Sequence, residues 1–88
     1  MPKFKLIFAP SFLEQYDAWG ATSARTVEKI DQLVEAIASD PFKGIGKPEP
    51  LRWGPFKGCW SRRITKEHRI VYKVDKGTIS FLMCKYHY

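Results

Sequence analysis

Several familiar chemistries are missing from this sequence. No run approaches the roughly 20 consecutive apolar residues that a membrane span needs. The short apolar stretch Leu6 to Ala9 alternates like a strand and reads as neither an anchor nor a targeting signal. Histidine occurs twice, as His68 and His87, and cysteine twice, as Cys59 and Cys84. The thiols are far apart, form no CxxC pair and do not cluster with the imidazoles. No metal site and no cofactor are expected, and two buried thiols are the simplest reading. There is no glycine-rich phosphate loop and no nucleophile elbow. Nor is there an internal repeat, a low-complexity segment or a second domain, so residues 1–88 read as one domain with an adequate but not generous core. With no export signal, the expected compartment is the reducing cytoplasm.

Acidic charge is also scarce where it would matter. Residues 1–40 carry four Lys/Arg and six Asp/Glu, a balance of −2, whereas residues 41–88 carry eleven and three, a balance of +8. A positive field on one part of the molecule suits a polyanion, above all nucleic acid. A membrane surface fits less well, because the basic half reads as strands and loop rather than as an amphipathic helix.

What is present reads as α+β. Lys3 to Phe8 alternates like a strand. Pro10 suits the first turn of a helix, although Ser11 and Glu14 have capping-box spacing and blur its start. Phe12, Tyr16 and Trp19 recur at helical spacing as packing residues, and Gly20 suits the end of that helix. Thr22 or Ser23 can cap a second helix. There Val27, Ile30, Leu33, Val34 and Ile37 form an apolar stripe, while Glu28, Lys29, Asp31, Gln32 and Glu35 face solvent. Asp40-Pro41 stops it. Asp40 to Gly58 is rich in proline and glycine and reads as a long ordered loop. A hairpin follows in WSRRITKEHRIVY (60–72), turning at Thr65-Lys66-Glu67-His68. Alternation puts Trp60, Arg62 and Ile64 on one face, and Ser61 and Arg63 on the other. Asp75-Lys76-Gly77 is a turn, and Thr78 to about Tyr86 is a strand apolar on both faces and therefore interior.

The polar residues left over suit phosphate chemistry. A carboxylate, several guanidiniums, a histidine and tyrosines are enough for metal-free RNA cleavage. A base takes the 2′-hydroxyl proton, the oxygen attacks phosphorus, an acid protonates the departing 5′-oxygen, and arginines neutralise the phosphoryl oxygens. On the residues alone this is one option among several. Glu49 could equally form a loop salt bridge with Lys47 or Arg52, Arg69 could pair with Glu67, and His68 reads as a solvated turn residue.

KPEPLR (47–52), WSRRITKEHRIVY (60–72) and the closing KYHY (85–88) resemble the YoeB/Txe-type toxins of the RelE superfamily, over nearly the whole chain and in the same order. The resemblance implies a RelE-like, YoeB-like fold: two N-terminal helices packed on a mainly antiparallel twisted sheet, in the order β-α-α-β-β-β. It implies a small endoribonuclease that cuts mRNA in the ribosomal A site and is restrained by a YefM/Phd-type antitoxin, with a homodimer as a further implied assembly. By the same resemblance Glu49 matches the general base, Arg69 the arginine that stabilises the transition-state phosphate, His87 the general acid and Tyr88 a terminal aromatic that positions substrate. Lys47 and Arg52 would add positive charge beside the base. Arg62 and Arg63 would contact RNA or antitoxin. A non-catalytic RNA- or ribosome-binding module is the alternative that the basic half also allows, and a toxin acting on gyrase or another enzyme is a third.

Overall fold

The computed structural model describes residues 3–86. Its elements run β1 (Lys5–Phe8), α1 (Pro10–Thr22), α2 (Ala24–Ser39), β2 (Glu49–Pro50), β3 (Trp60–Arg63), β4 (Arg69–Asp75) and β5 (Thr78–Met83). The five strands form one sheet in the order β1-β5-β4-β3-β2. β1 lies parallel to β5, and the other pairings are antiparallel. The expected α+β class therefore stands, with β5 interior, and a short edge strand, β2, is added inside the 40–58 loop.

Local chemistry explains most boundaries. Ala9 is extended and Pro10 opens α1, so the helix begins without a side-chain cap. Ser11 does not close a capping box; its hydroxyl donates to the Leu82 carbonyl (2.6 Å). The helix also runs past Gly20, contrary to the sequence expectation. A glycine in a helix costs only about 1 kcal/mol, and the stronger stop is Ser23. That residue is extended, its N–H donates to the Trp19 carbonyl, and its hydroxyl accepts from the Thr26 N–H to cap α2. In the β4–β5 turn, Lys76 and Gly77 have φ of 46° and 79°, the pairing of positive angles that a two-residue hairpin requires.

The two faces of the sheet have separate cores. Between the helices and the sheet lie Phe12, Ile30, Leu33, Ile37, Ile64, Ile70, Tyr72, Ile79, Phe81 and Cys84. Behind the sheet a smaller cluster of Leu51, Cys59 and Val71 packs with Phe56, Leu82 and Met83. It forms the floor of a loop closed by Leu51 and Cys59, whose backbones bond to each other and within the loop (Leu51 N–H to Cys59 carbonyl 2.9 Å; Gly58 N–H to Leu51 carbonyl 3.0 Å). Cys59 and Cys84 are both buried free thiols. No helix among the described residues is long and apolar enough to cross a membrane.

Burial of Cys84 makes stability depend on pH at the alkaline end. Removal from water pushes its thiol from the ordinary 9.0 up to about 12. Burial also raises the Tyr72 hydroxyl above its ordinary 10.0, against the lowering pull of Arg62. In both cases the folded state favours the protonated form. The stabilisation is complete below the unfolded-state value and is lost as pH rises towards the folded one. Urea midpoints are expected to fall between pH 9 and 12, and Cys84→Ala is expected to fall less steeply over that window. Parallel profiles for the two proteins would refute this.

Candidate active site

The open face of the sheet gathers the residues with chemistry to offer. In the register, Glu49 stands opposite Ser61, Ser61 opposite Val71, and Arg63 opposite Arg69. Side chains alternate along strands, so Glu49, Ser61, Arg63, Val71 and Arg69 share one face. Glu49 and Arg69 lie on the strands either side of β3 and meet across it, on the face where the small Ser61 is fully buried. Arg69 Nη1 donates to Glu49 Oε1 at 3.1 Å. The arginine side chain keeps 20% of its surface exposed and the glutamate 54%, so the pair sits on a solid floor but opens to solvent.

Two further features make this face suited to an anion. Arg63 and Arg69 are directly opposed cross-strand neighbours, and like charges in that position destabilise a sheet. Lys73, also exposed, lies further along the same face of β4. Glu49 offsets the charge of Arg69, which leaves Arg63 and Lys73 as exposed positive charge on this face.

β2 holds Glu49 in place through a tight approach of the loop to the core. Gly46 (φ 82°) and Lys47 (φ 52°) both turn left-handed, and the Gly46 carbonyl accepts from the Arg63 N–H at 2.7 Å. A Cβ at Gly46 would come within 2.8 Å of Leu33 Cδ2 and 3.1 Å of Arg62 Cβ. Lys47 and Arg52 are exposed on either side of β2, and Glu49 pairs with neither of them; Arg69 pairs with Glu49 rather than with Glu67.

Arg62 requires a correction. It is fully buried on the helix side of the sheet and cannot touch RNA. Its Nε donates to the Tyr72 hydroxyl (3.1 Å), Nη1 to the Ile45 carbonyl (3.1 Å), and Nη2 to the carbonyls of Asp40 (2.6 Å) and Lys43 (3.1 Å). Asp40 is the C-cap of α2, so the guanidinium also meets the negative end of that helix. His68 is likewise not a solvated turn residue. It is half-buried, edge-on to the Trp19 ring (centroids 4.8 Å apart), and its Nδ1 accepts the Tyr86 N–H at 2.7 Å. His87 and Tyr88, expected at the site, lie outside the described residues. Trp53 is 83% exposed in the groove formed by residues 49–55, beside Glu49 and Arg52.

A model of the family described as "YoeB-like toxin of bacterial type II toxin-antitoxin system" matches residues 8–88. The chain belongs to this family. Toxin YoeB of Escherichia coli K12 is 44% identical over 84 residues, spanning 96% of this chain and 99% of that protein. Among solved structures, a YoeB/ParE toxin from Agrobacterium tumefaciens superposes with a TM-score of 0.89 at 45% identity, covering 97% of this chain and 100% of its own. A Staphylococcus aureus YoeB, seen as a dimer, gives 0.85 at 39% identity over 98% and 99%; the same organism's YoeB is also seen in complex with YefM. This chain is thus a YoeB-like toxin of a type II toxin-antitoxin system, with an open, basic sheet face on which a carboxylate and an arginine are paired.

Proposed function

We propose that this YoeB-like toxin is a ribosome-dependent endoribonuclease that cuts mRNA in the A site without a metal and so stops translation in the cytoplasm. The Glu49–Arg69 pair, set beside the opposed Arg63 on an open face, is the observation that carries this reading. Glu49 takes the proton from a 2′-hydroxyl as that oxygen attacks the adjacent phosphorus. Arg69 turns its fork from the carboxylate to the phosphoryl oxygens as negative charge grows there. His87 protonates the departing 5′-oxygen, and Tyr88 helps to position the strand. Arg63, Lys47 and Arg52 hold neighbouring phosphates, and Trp53 presents a face on which a base can stack.

The same surface suits an antitoxin. An acidic segment of a YefM/Phd-type partner would place carboxylates where RNA phosphates otherwise sit, on Arg63 and Arg69. The S. aureus relative, seen with YefM and as a dimer, supports both an antitoxin and a homodimer here.

Expression in growing cells should arrest translation and leave mRNA with new ends within or next to the codon in the A site. Mapping those ends on translated and untranslated copies of one message tests the claim. Arrest with intact mRNA would sink the nuclease reading and leave a non-catalytic ribosome-binding module.

A further inference from the structure

β5 ends at Met83, and the backbone beyond it has left the sheet. Polar groups at the end of β5 and just beyond it still need partners, and α1 supplies several of them. Ser11, Gln15 and Trp19 are four residues apart on one row of the helix. Ser11 donates to the Leu82 carbonyl (2.6 Å), Gln15 Oε1 accepts the Cys84 N–H (2.7 Å), and Trp19 Nε1 donates to the Cys84 carbonyl (2.8 Å). The last described residue, Tyr86, is gripped from the other side. Its N–H goes to His68 Nδ1 at 2.7 Å, and its carbonyl accepts the Arg69 N–H at 3.0 Å. Tyr86 is left-handed (φ 64°), a conformation costing a non-glycine residue about 1–2 kcal/mol, so the grip holds it in a strained turn.

We propose that His68 is a positioning residue that fixes the departure point of the last two residues, His87 and Tyr88, relative to Arg69. The inference rests on the nuclease reading given above. Two features carry it. The residue that binds the tail immediately precedes Arg69, so the Tyr86 peptide and the Arg69 guanidinium are referenced to the same short piece of backbone. The imidazole is also held on both sides, edge-on to Trp19 at 4.8 Å and tilted against Tyr86 at 5.6 Å, so its acceptor nitrogen has little freedom to swing away. To accept at Nδ1 the ring must be neutral with its proton on Nε2. α1 thereby acquires a role beyond core packing: its polar row delivers the tail to His68.

Asparagine separates positioning from packing, because its side-chain oxygen occupies nearly the place of Nδ1 while lacking the ring. His68→Leu keeps apolar bulk and loses the acceptor, and His68→Gln moves the acceptor one bond outward. In a ribosome-programmed cleavage assay, His68→Leu and His68→Gln are expected to lower kcat by about 10- to 100-fold with little change in KM, the range that a displacement of about 1 Å at a reacting group produces. His68→Asn should recover most of that loss. The Tyr86 amide should exchange with solvent faster in the Leu and Gln variants than in His68→Asn. Wild-type kcat in His68→Leu, or equal impairment of the Asn, Gln and Leu variants, would overturn the proposal. Glu49→Gln and the parent, run in parallel, distinguish the failures. If Glu49→Gln loses cleavage while the His68 series is flat, only the positioning role falls. If it cleaves fully, only the role of Glu49 as base falls and the His68 series is judged by itself; if the parent leaves the mRNA intact, the nuclease reading falls and the positioning role with it.

Discussion

Arg62→Ala is expected to be severely destabilised, with a urea midpoint far below that of the parent. The guanidinium is fully buried, and neutral oxygens of Asp40, Lys43, Ile45 and Tyr72 surround it in hydrogen-bond contact. Truncation would strand those acceptors and leave a void where the longest side chain of the interior had been. Breaking a buried charged network of this sort costs about 3–5 kcal/mol. A chain of this size has a total stability of about 4–13 kcal/mol at 0.05–0.15 kcal/mol per residue, so the loss is a large share of the whole. The damage would spread through Tyr72, whose hydroxyl donates to the Pro41 carbonyl at 2.6 Å, and would free the loop that carries Glu49. Arg62→Lys should be only a partial remedy. Its single nitrogen keeps the charge at the end of α2 but cannot reproduce a fork that serves four oxygens. Gly44→Ala should resemble it in kind, since a Cβ there would come within 2.9 Å of Arg62 Nη1 at a backbone φ of 130°. Urea denaturation read by circular dichroism gives the answer. A midpoint unchanged in Arg62→Ala, with RNA affinity and its salt dependence reduced, would return Arg62 to the binding surface.

The contrast between Arg62 and Arg63 shows where the sequence stops being readable. Alternation alone places the two arginines on opposite faces of β3. It does not say which face is inward, because an arginine looks like a surface residue until carbonyls are found to receive it. Those carbonyls come from the 40–45 turn, about twenty residues away, and no local pattern announces them. The helix α2 was legible for the opposite reason. Its stripe is periodic, and Ser23 caps it through a contact three residues away. Gly20 misleads because its side chain, or lack of one, meets nothing within 4 Å, so the helix passes through it at small cost. β2 escaped notice because Glu49 and Pro50 lie among prolines and are strand only by virtue of Trp60 and Ser61 opposite. At the site, Glu49 and Arg69 were picked out by resemblance to a family motif, but their contact depends on a register spanning three strands. The role of His68 is hidden from the sequence because its partner is a backbone N–H eighteen residues later.

Glu49→Gln and Arg69→Ala should do the reverse of Arg62→Ala, abolishing most activity while leaving the fold in place. The ion pair is solvent-exposed on the glutamate side, and such pairs contribute about 0–1 kcal/mol, so melting should barely move. Loss of a positioned general base typically costs about 10²–10⁴-fold, and loss of one donor to a developing oxyanion about 10²–10³-fold. The double variant should fall by less than the product of the two single losses, because each side chain holds the other and the singles already disturb both. Arg69→Lys should recover charge but not the two-pronged geometry, and so should remain well below the parent. RNA affinity supplies the sharper discriminator. Among the described residues Glu49 is the one carboxylate beside Lys47, Arg52, Arg63 and Arg69, so its neutralisation makes the face more positive. A catalytic Glu49 therefore requires Glu49→Gln to bind RNA more tightly than the parent while cutting it far more slowly. A purely binding surface predicts that tighter binding comes with an undiminished or greater effect on translation. Equal cleavage by the parent, Glu49→Gln and Arg69→Ala would remove the pair from catalysis altogether.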